Sequence, residues 1–562
     1  MKHLLLLLRH SSLLLLVLGV AIHAQNPAPP SGRPPGFGPG GPQGFGPGPR
    51  VERKILNQFD ADSNGRLSAT ERQAARAELA RNPVERRGPR GPGGGRFETG
   101  KPGPRISPSD ITPVKSTNLF DLGSVRTLFL QFENDDWEKE LADFHNTDVE
   151  VPATLSLDGK TYPEVGISFR GMSSYSMVPA GLKRPLNVSI DFANDGQNIL
   201  GHRTLNLLNA NGDPSFVRSA LFSRIANEYI PTPHANFVQV VINGESWGLY
   251  VQVEQFNKDF TKARFKSKGG VRWKVPGSPG GRGSLGYLGD DPTAYRGIYE
   301  LKTKETPKSW NDLIRLCRIL DSTPAADLPA ALEPILDVQG ALAFLALDNA
   351  LMNSDGYWVR TSDYSLFQDD QGRFHLVPHD FNETFSLAGG RGGGGRRGGP
   401  GGPGGPQGPG NREGFEGPGG PRPPGGAPGE GPGQGRRGGS VGGGIELDPL
   451  FAANDPSKVL LYRLLAVPAY RTRYMELVRD IATRWLDWEK IGPDVEAWHR
   501  RITPFVETDT RKLDSFEAFT ASLSGDPSRY IGRPGPGTSP SLKSIIERRR
   551  TYLLGPGTTN QN

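Results

Sequence analysis

The chain has 562 residues, with 66 Lys and Arg against 60 Asp and Glu, a net charge of +6 that is modest for this length. Its 75 Gly and 51 Pro gather in a few tracts that cannot pack a core, which leaves about 400 foldable residues. Much of the basic excess is Arg inside those tracts, so the charge does not mark a nucleic-acid surface, and a single cysteine, Cys317, excludes an intrachain disulfide framework.

The N-terminus reads as an export signal. Lys2 and Arg9 flank leucine runs, Leu13 to Val20 form an apolar stretch too short for a membrane span, and Ala21-Ile22-His23-Ala24 offers a cleavage site before Gln25. Residues 1–24 are expected to be removed from an exported protein, periplasmic, surface-bound or extracellular, with no transmembrane span remaining. Residues 25–50 are a Pro/Gly linker without periodicity.

Residues 51–81 carry the sharpest local motif, the run from Asp60 to Glu71, which fits an EF-hand calcium loop at each diagnostic position. Asp60, Asp62 and Asn64 supply side-chain oxygens and Arg66 its backbone carbonyl, while Ser68 acts directly or through water. Glu71 closes the sphere with two oxygens, and Gly65 permits the bend. Ile55, Leu56 and Phe59 before the loop, and Ala74, Ala75 and Leu79 after it, are spaced as helix faces. A chance acidic turn is the bland alternative, and the completeness of the match weighs against it.

A second Pro/Gly linker spans 82–110, and alternating strands follow from Leu119. Val125–Phe132 is a strand, Asp136–Phe144 a short helix, and Val149–Leu157 and Thr161–Arg170 two strands around the turn Asp158-Gly159. Lys183–Phe192 alternates as a further strand, and Phe216–Tyr229 is an amphipathic helix. Phe237–Ile242, Asn243-Gly244 and Trp247–Val253 form a hairpin. Cys317 shares one helical face with Leu313, Leu316 and Leu320, which places it in a core. Residues 389–444 are a Gly/Pro/Arg-rich insertion expected to be disordered. Helical spacing resumes over 445–530, and 531–562 form a tail.

Asn353–Phe385 draws the chemistry together. Ser365, Phe367, Phe374, Leu376 and Pro378 read as two strands joined at Asp369-Asp370-Gln371-Gly372, with Asp355 in the loop before them and Asp380 just after. Two acids brought together by a hairpin make an economical magnesium–phosphate site, although isolated turn acids are common. Asp348 ends a helical pattern begun at Val338 and reads as a cap or supporting residue. His375 and His379 lack a third ligand for zinc.

Several blocks resemble the CotH family, the spore-coat-type kinases: RGMSSYS with LKRPLNVSIDF, NGESWGLYVQVEQFNKDF, GGVRWKV with AYRGIYELKT, and NSDGYW with DYSLF and GRFHLVPHDFNETF. The resemblance covers residues from about 119 to about 524. It implies an α+β, two-lobed protein-kinase-like fold, preceded here by the small helix-loop-helix hand and interrupted by Gly/Pro-rich disordered tracts. It also implies transfer of the γ-phosphoryl group of ATP, with Mg²⁺, to Ser or Thr of secreted or surface proteins.

Carried onto this sequence, the resemblance makes Asp355 the acid that orients the acceptor hydroxyl and Asp380 the metal-holding acid, helped by Asp363. His379 and Asn382 stand where the family usually shows an aromatic and a second acid. Phosphate charge requires a cation. Lys183 is the first candidate and Arg170 the second, with Lys274 and Lys302 behind them, solvated strand charges being the bland alternative, and Glu254 matches a hinge position bordering adenine or equally a helix-capping acid. The alternative function is a non-catalytic, calcium-binding surface or cell-wall interaction protein that keeps a kinase-like fold without its chemistry. The sequence leaves the oligomeric state open.

Overall fold

A computed structural model describes residues 52–82, 97, 99–267, 269–277, 281–387, 444–524 and 540–555. The export signal, the first linker, most of the second linker and the insertion after residue 388 lie outside these residues.

The elements run as follows. Helices α1 (Leu56–Phe59) and α2 (Ala69–Arg81) flank the acidic loop. Then come β1 (Arg126–Phe132), α3 (Trp137–Asp143), β2 (Val151–Leu157), β3 (Lys160–Phe169), α4 (Ser173–Ser176), β4 (Leu186–Ser189) and β5 (Thr204–Leu208). Helix α5 (Arg218–Ala226) precedes the hairpin of β6 (Ala235–Ile242) and β7 (Glu245–Glu254). A second group follows: α6 (Lys258–Phe265), β8 (Val271–Val275), α7 (Thr293–Arg296), β9 (Glu300–Leu301), α8 (Pro307–Ser322), α9 (Leu328–Leu332), α10 (Val338–Ala350) and α11 (Tyr357–Arg360). The hairpin of β10 (Tyr364–Gln368) and β11 (Phe374–Pro378) completes that group. The last helices are α12 (Val459–Leu465), α13 (Pro468–Arg484), α14 (Trp488–Glu507), α15 (Phe516–Ser524) and α16 (Leu542–Leu554).

The first seven strands close into a barrel in the order β1-β2-β3-β4-β5-β7-β6. Closure depends on a parallel pairing of β1 with β6, from Arg126 beside Val238 to Leu130 beside Ile242, which removes the free edges of an open sheet. Two hairpins obey their local chemistry. Asp158-Gly159 and Asn243-Gly244 all take positive φ, the geometry a two-residue type I′ turn demands. Alternating residues such as Leu155, Val165, Ile167, Val188, Leu205 and Val240 fill the barrel with aliphatic side chains.

The remaining strands form a separate four-stranded sheet in the order β11-β10-β8-β9. It packs with α8, α10 and the C-terminal helices around a larger core, in which Cys317 is fully buried as expected. This architecture corrects the expectation of a two-lobed protein-kinase-like fold. The N-terminal strands are a closed seven-stranded barrel rather than an open lobe, and the second sheet stands apart from it among helices. Sixteen helices are present among the described residues.

Two further expectations change. The helix-loop-helix is not a separate body: Ile55, Leu67 and Ala75 belong to the same apolar cluster as the barrel strands. The supposed tail contains α16, whose Ile545, Ile546 and Leu553 enter the larger core. No helix among the described residues is long and apolar enough to cross a membrane.

Candidate functional site

The acids of the Asn353–Phe385 stretch meet where the barrel end faces the second sheet. Pairing of Tyr364 with Pro378 at the open end of the β10–β11 hairpin places Asp363 and Asp380 on neighbouring strand extensions. The His379 N–H donates to the Asp363 carbonyl at 3.3 Å. Lys274 on β8 lies opposite Ser365 on β10, two residues from Asp363, close enough for its charge to act on that carboxyl. Arg170, just past β3, brings a second cation from the barrel, its own N–H held by the Pro185 carbonyl at 3.0 Å.

The backbone here is strained. Met352, Thr361, Asp363, Asp380 and Phe385 all have φ between 48° and 60°, a region side-chain-bearing residues seldom occupy. Such conformations persist only where surroundings enforce them. Stacking of Phe381 on Phe222 of α5, with centroids 4.7 Å apart, supplies one such constraint, and the Phe385 N–H bonded to the Leu351 carbonyl at 2.8 Å supplies another.

The electrostatics are those of a crowded carboxylate cluster partly offset by nearby cations. Burial pushes Asp355 up to about 7, with the charges of Glu383 and Asp380 adding to the push and Arg360 opposing it. The Arg360 guanidinium is 2.6 Å from Asp355 Oδ1. Asp363 is buried and raised well above the usual range, first by desolvation and then by Asp380 and Asp355, while Lys274 counteracts. The Ser362 hydroxyl donates to it at 2.9 Å. Desolvation raises Asp380, with Arg170 and Lys274 holding it back, but its side chain opens to solvent at the cleft mouth, so water tempers that shift. Desolvation and like charge lower Lys274, and desolvation lowers Arg170. Desolvation lowers His379 well below the usual imidazole range, and the charges of Lys274, Arg170 and Lys302 add to it.

A cavity of about 410 Å³, open solvent at its mouth included, is lined by Arg170, Asn206, Val253 to Phe256, His379 and Asp380. A neighbouring one of about 500 Å³ shares Arg170, Leu208, Ser219 and Asp380 with it and adds Gly171, Asn211 and Asn382. The two form one cleft around Arg170 and Asp380.

The structure therefore brings together Asp355, Asp363, Asp380, Arg170 and Lys274. It does not bring Lys183 to them. The Lys183 side chain is wholly buried, its Nζ 2.5 Å from Asp509 Oδ2 and 2.8 Å from the Leu249 carbonyl. A lysine already neutralised inside the protein is not offered to a ligand, so Arg170 and Lys274 take the place expected of it. Glu254 is likewise spent as a side chain, accepting from the His234 N–H and from Arg264, each at 3.1 Å. Only the segment it belongs to borders the cleft.

Ser354 and Glu383, which bond to each other, and Arg360, which pairs with Asp355, border the acidic cluster and were passed over by sequence reasoning. Glu383 lies in the same acidic stretch as Asp380, but nothing in its spacing distinguishes it from a surface acid.

At the other end of the chain, the loop between α1 and α2 gathers Asp60, Asp62 and Glu71, whose nearest oxygens lie within 4.8 Å of one another. No other such group of three occurs among the described residues. Asp60 accepts from the N–H groups of Asn64 and Gly65 at 3.1 and 2.8 Å, and Asn64 Oδ1 from that of Arg66 at 3.0 Å. Ser68 caps α2, and Glu71 is held below the usual carboxylate range by the N–H groups of Ser68 and Ala61.

Known proteins resemble the chain at low identity. Inner spore coat protein H-like protein of Bacillus subtilis (strain 168) is 22% identical over 317 residues, covering 56% of this chain and 72% of that protein. Inner spore coat protein H of the same organism is 24% identical over 239 residues, 42% of this chain and 62% of its own. Invasin CotH3 of Rhizopus delemar is 22% identical over 295 residues, 48% of this chain and 45% of its own. The chain thus spans less than two thirds of the latter two. The family described as CotH kinase protein matches residues 167–553, well over half of the chain and all of the cleft just described, and the protein belongs to that family.

Proposed function

We propose that the protein is exported and transfers the γ-phosphoryl group of ATP to Ser or Thr hydroxyls of secreted or surface proteins. The observation that supports this best is the charge arrangement of the cleft, in which Asp355, Asp363 and Asp380 act on one another and face Arg170 and Lys274. Carboxyls raised by burial and mutual repulsion are relieved by a divalent cation, and the donors are the hard oxygens magnesium prefers. No three of these acids bring oxygens within 4.8 Å of one another. That spacing suits magnesium, which takes one or two carboxylates and completes its shell with water and phosphate oxygens. When bound, the ion neutralises charge on the phosphates.

In this reading Asp380 and Asp363 hold the magnesium. Arg170 and Lys274 meet phosphate oxygens, a task their half-buried placement favours by weakening competition from water. The backbone from Val253 to Phe256 borders the base. Asp355 orients the acceptor hydroxyl, and its elevation to about 7 suits a group that accepts a proton near neutral pH. Transfer of labelled phosphate from ATP to a Ser-rich protein tests the assignment, with Asp380→Ala as control. Loss of transfer in the variant is expected, and equal behaviour of the two proteins would reject the reading.

We also propose that the Asp60–Glu71 loop holds calcium, on the strength of its three convergent carboxylates. Should no transfer occur, that loop favours the second reading, a calcium-holding surface protein whose large domain serves in binding.

A further inference from the structure

The loops bearing Asp355 and Asp380 come from different elements, one leaving α10 and the other β11, yet a phosphotransfer site requires a fixed distance between them. Direct backbone ties join these loops at two places. One is the Phe385 N–H bonded to the Leu351 carbonyl at 2.8 Å. The other is built entirely from Ser354 and Glu383, the neighbour of Asp355 and the residue three past Asp380. The Ser354 N–H donates to the Glu383 carbonyl at 3.3 Å. Its hydroxyl lies 3.0 Å from Glu383 Oε2 and 3.3 Å from the Glu383 carbonyl, so its one proton is shared between them.

Ser354 is only 3% exposed, which keeps water from replacing this contact. Glu383 has no ion-pair partner among the described residues; its carboxylate receives the Ser354 hydroxyl and also lies within hydrogen-bond reach of the Asp355 carboxyl. The segment that carries Glu383 is itself stiff. The Thr384 hydroxyl donates to the Phe381 carbonyl at 2.9 Å, and Phe381 is stacked on Phe222.

We propose that Glu383 is a positioning residue of the cleft, using its carboxylate as a hydrogen-bond acceptor for Ser354 and thereby setting the distance between Asp355 and Asp380. Its catalytic consequence rests on the phosphotransfer reading; its structural consequence does not. Acceptance of a hydrogen bond does not require charge, so an amide serves in its place. A metal-holding or proton-accepting acid, by contrast, fails as an amide.

Three variants of the full chain separate these cases. Glu383→Gln should keep kcat close to wild type. Glu383→Ala and Ser354→Ala should each lower kcat by roughly 10- to 100-fold, the cost of misplacing a reacting group by a fraction of an ångström to an ångström, with KM for ATP unchanged. Amide hydrogen exchange over residues 353–356 should speed up in both alanine variants and not in Glu383→Gln. The inference is overturned if Glu383→Gln loses as much activity as Glu383→Ala, or if Ser354→Ala leaves exchange as in wild type. If the wild-type protein transfers no phosphate, exchange alone decides: the expected pattern then keeps the tie while the phosphotransfer reading falls.

Discussion

Lys183 and Asp509 show what a single buried pair decides. Both side chains are fully enclosed, and Asp509 is further held by the N–H groups of Leu249 at 3.3 Å and Arg511 at 2.8 Å. Gly248 makes the approach possible, because a methyl group on it would run into the Asp509 carboxylate. Removing one partner leaves an uncompensated charge, so Asp509→Ala should cost about 3–5 kcal/mol. Replacing both by apolar residues, Lys183→Met with Asp509→Leu, should recover most of that loss in urea unfolding; equal losses would show that the charges are not coupled. Asp348 offers a pH test. It is buried beneath Gly356, accepts from the Trp358 N–H at 3.4 Å, and is pushed up to about 7 by desolvation. Between about 4, where it ionises in the unfolded chain, and about 7, the folded state binds the extra proton. Its contribution therefore falls as pH rises through that window and is fully lost above it. Tm should decline more steeply over this interval in wild type than in Asp348→Asn, and parallel curves would count against the burial argument.

At the scale of elements, the helix-loop-helix is a fixture of the barrel. Arg72 is buried on α2, its Nε bonded to Glu140 of α3 at 2.8 Å and its Nη1 to the Leu67 carbonyl at 3.1 Å. Arg76 joins α3 through Asp143 at 3.0 Å and its N-cap Asp136 at 2.7 Å. The N–H groups of Ile55 and Leu56 are capped by Asp148, just before β2. Calcium bound in the loop should accordingly raise the Tm of the whole cooperative unit, since a ligand that binds only the folded form stabilises everything folded with it. Glu71→Gln should abolish the rise, and a calcium-dependent shift confined to a separate early transition would contradict the shared core. Much at this scale was legible beforehand. The turns Asp158-Gly159 and Asn243-Gly244, the β10–β11 hairpin and α10 announce themselves through residues that are neighbours in the chain. The barrel did not, because its closing pair joins Arg126 to Val238 across most of a domain, and no local pattern records such a pairing. The acids Asp355, Asp363 and Asp380 could be named from motif blocks. The exclusion of Lys183 could not, since its partner Asp509 lies 326 residues away.

For the molecule as a whole, the C-terminal helix holds the site together from behind. Arg549 of α16 is fully buried, and burial lowers it to about 10. Its guanidinium donates to the carbonyls of Ile445 and Leu447 at 2.9 and 2.6 Å, of Asn349 and Ala350 at 3.1 and 3.3 Å, and to Asn349 Oδ1 at 2.8 Å. Asn349 and Ala350 end α10, from which the Asp355 loop departs, and Ile445 and Leu447 begin the chain again after the insertion. One side chain thus joins the final helix, the far bank of the insertion and the root of the Asp355 loop. These carbonyls sit where water does not replace a lost donor, and each unsatisfied buried group costs about 1–3 kcal/mol. Arg549→Ala should therefore destabilise by more than a typical core substitution. Arg549→Lys, which keeps the charge but not the five-donor fork, should recover only part of the loss. Because the carbonyls at the end of α10 are among those released, phosphate transfer should fall in the Lys variant at temperatures where it remains folded. Equal stability of the Lys variant and wild type would show that charge alone suffices, and that the fork does not organise the chain around the cleft.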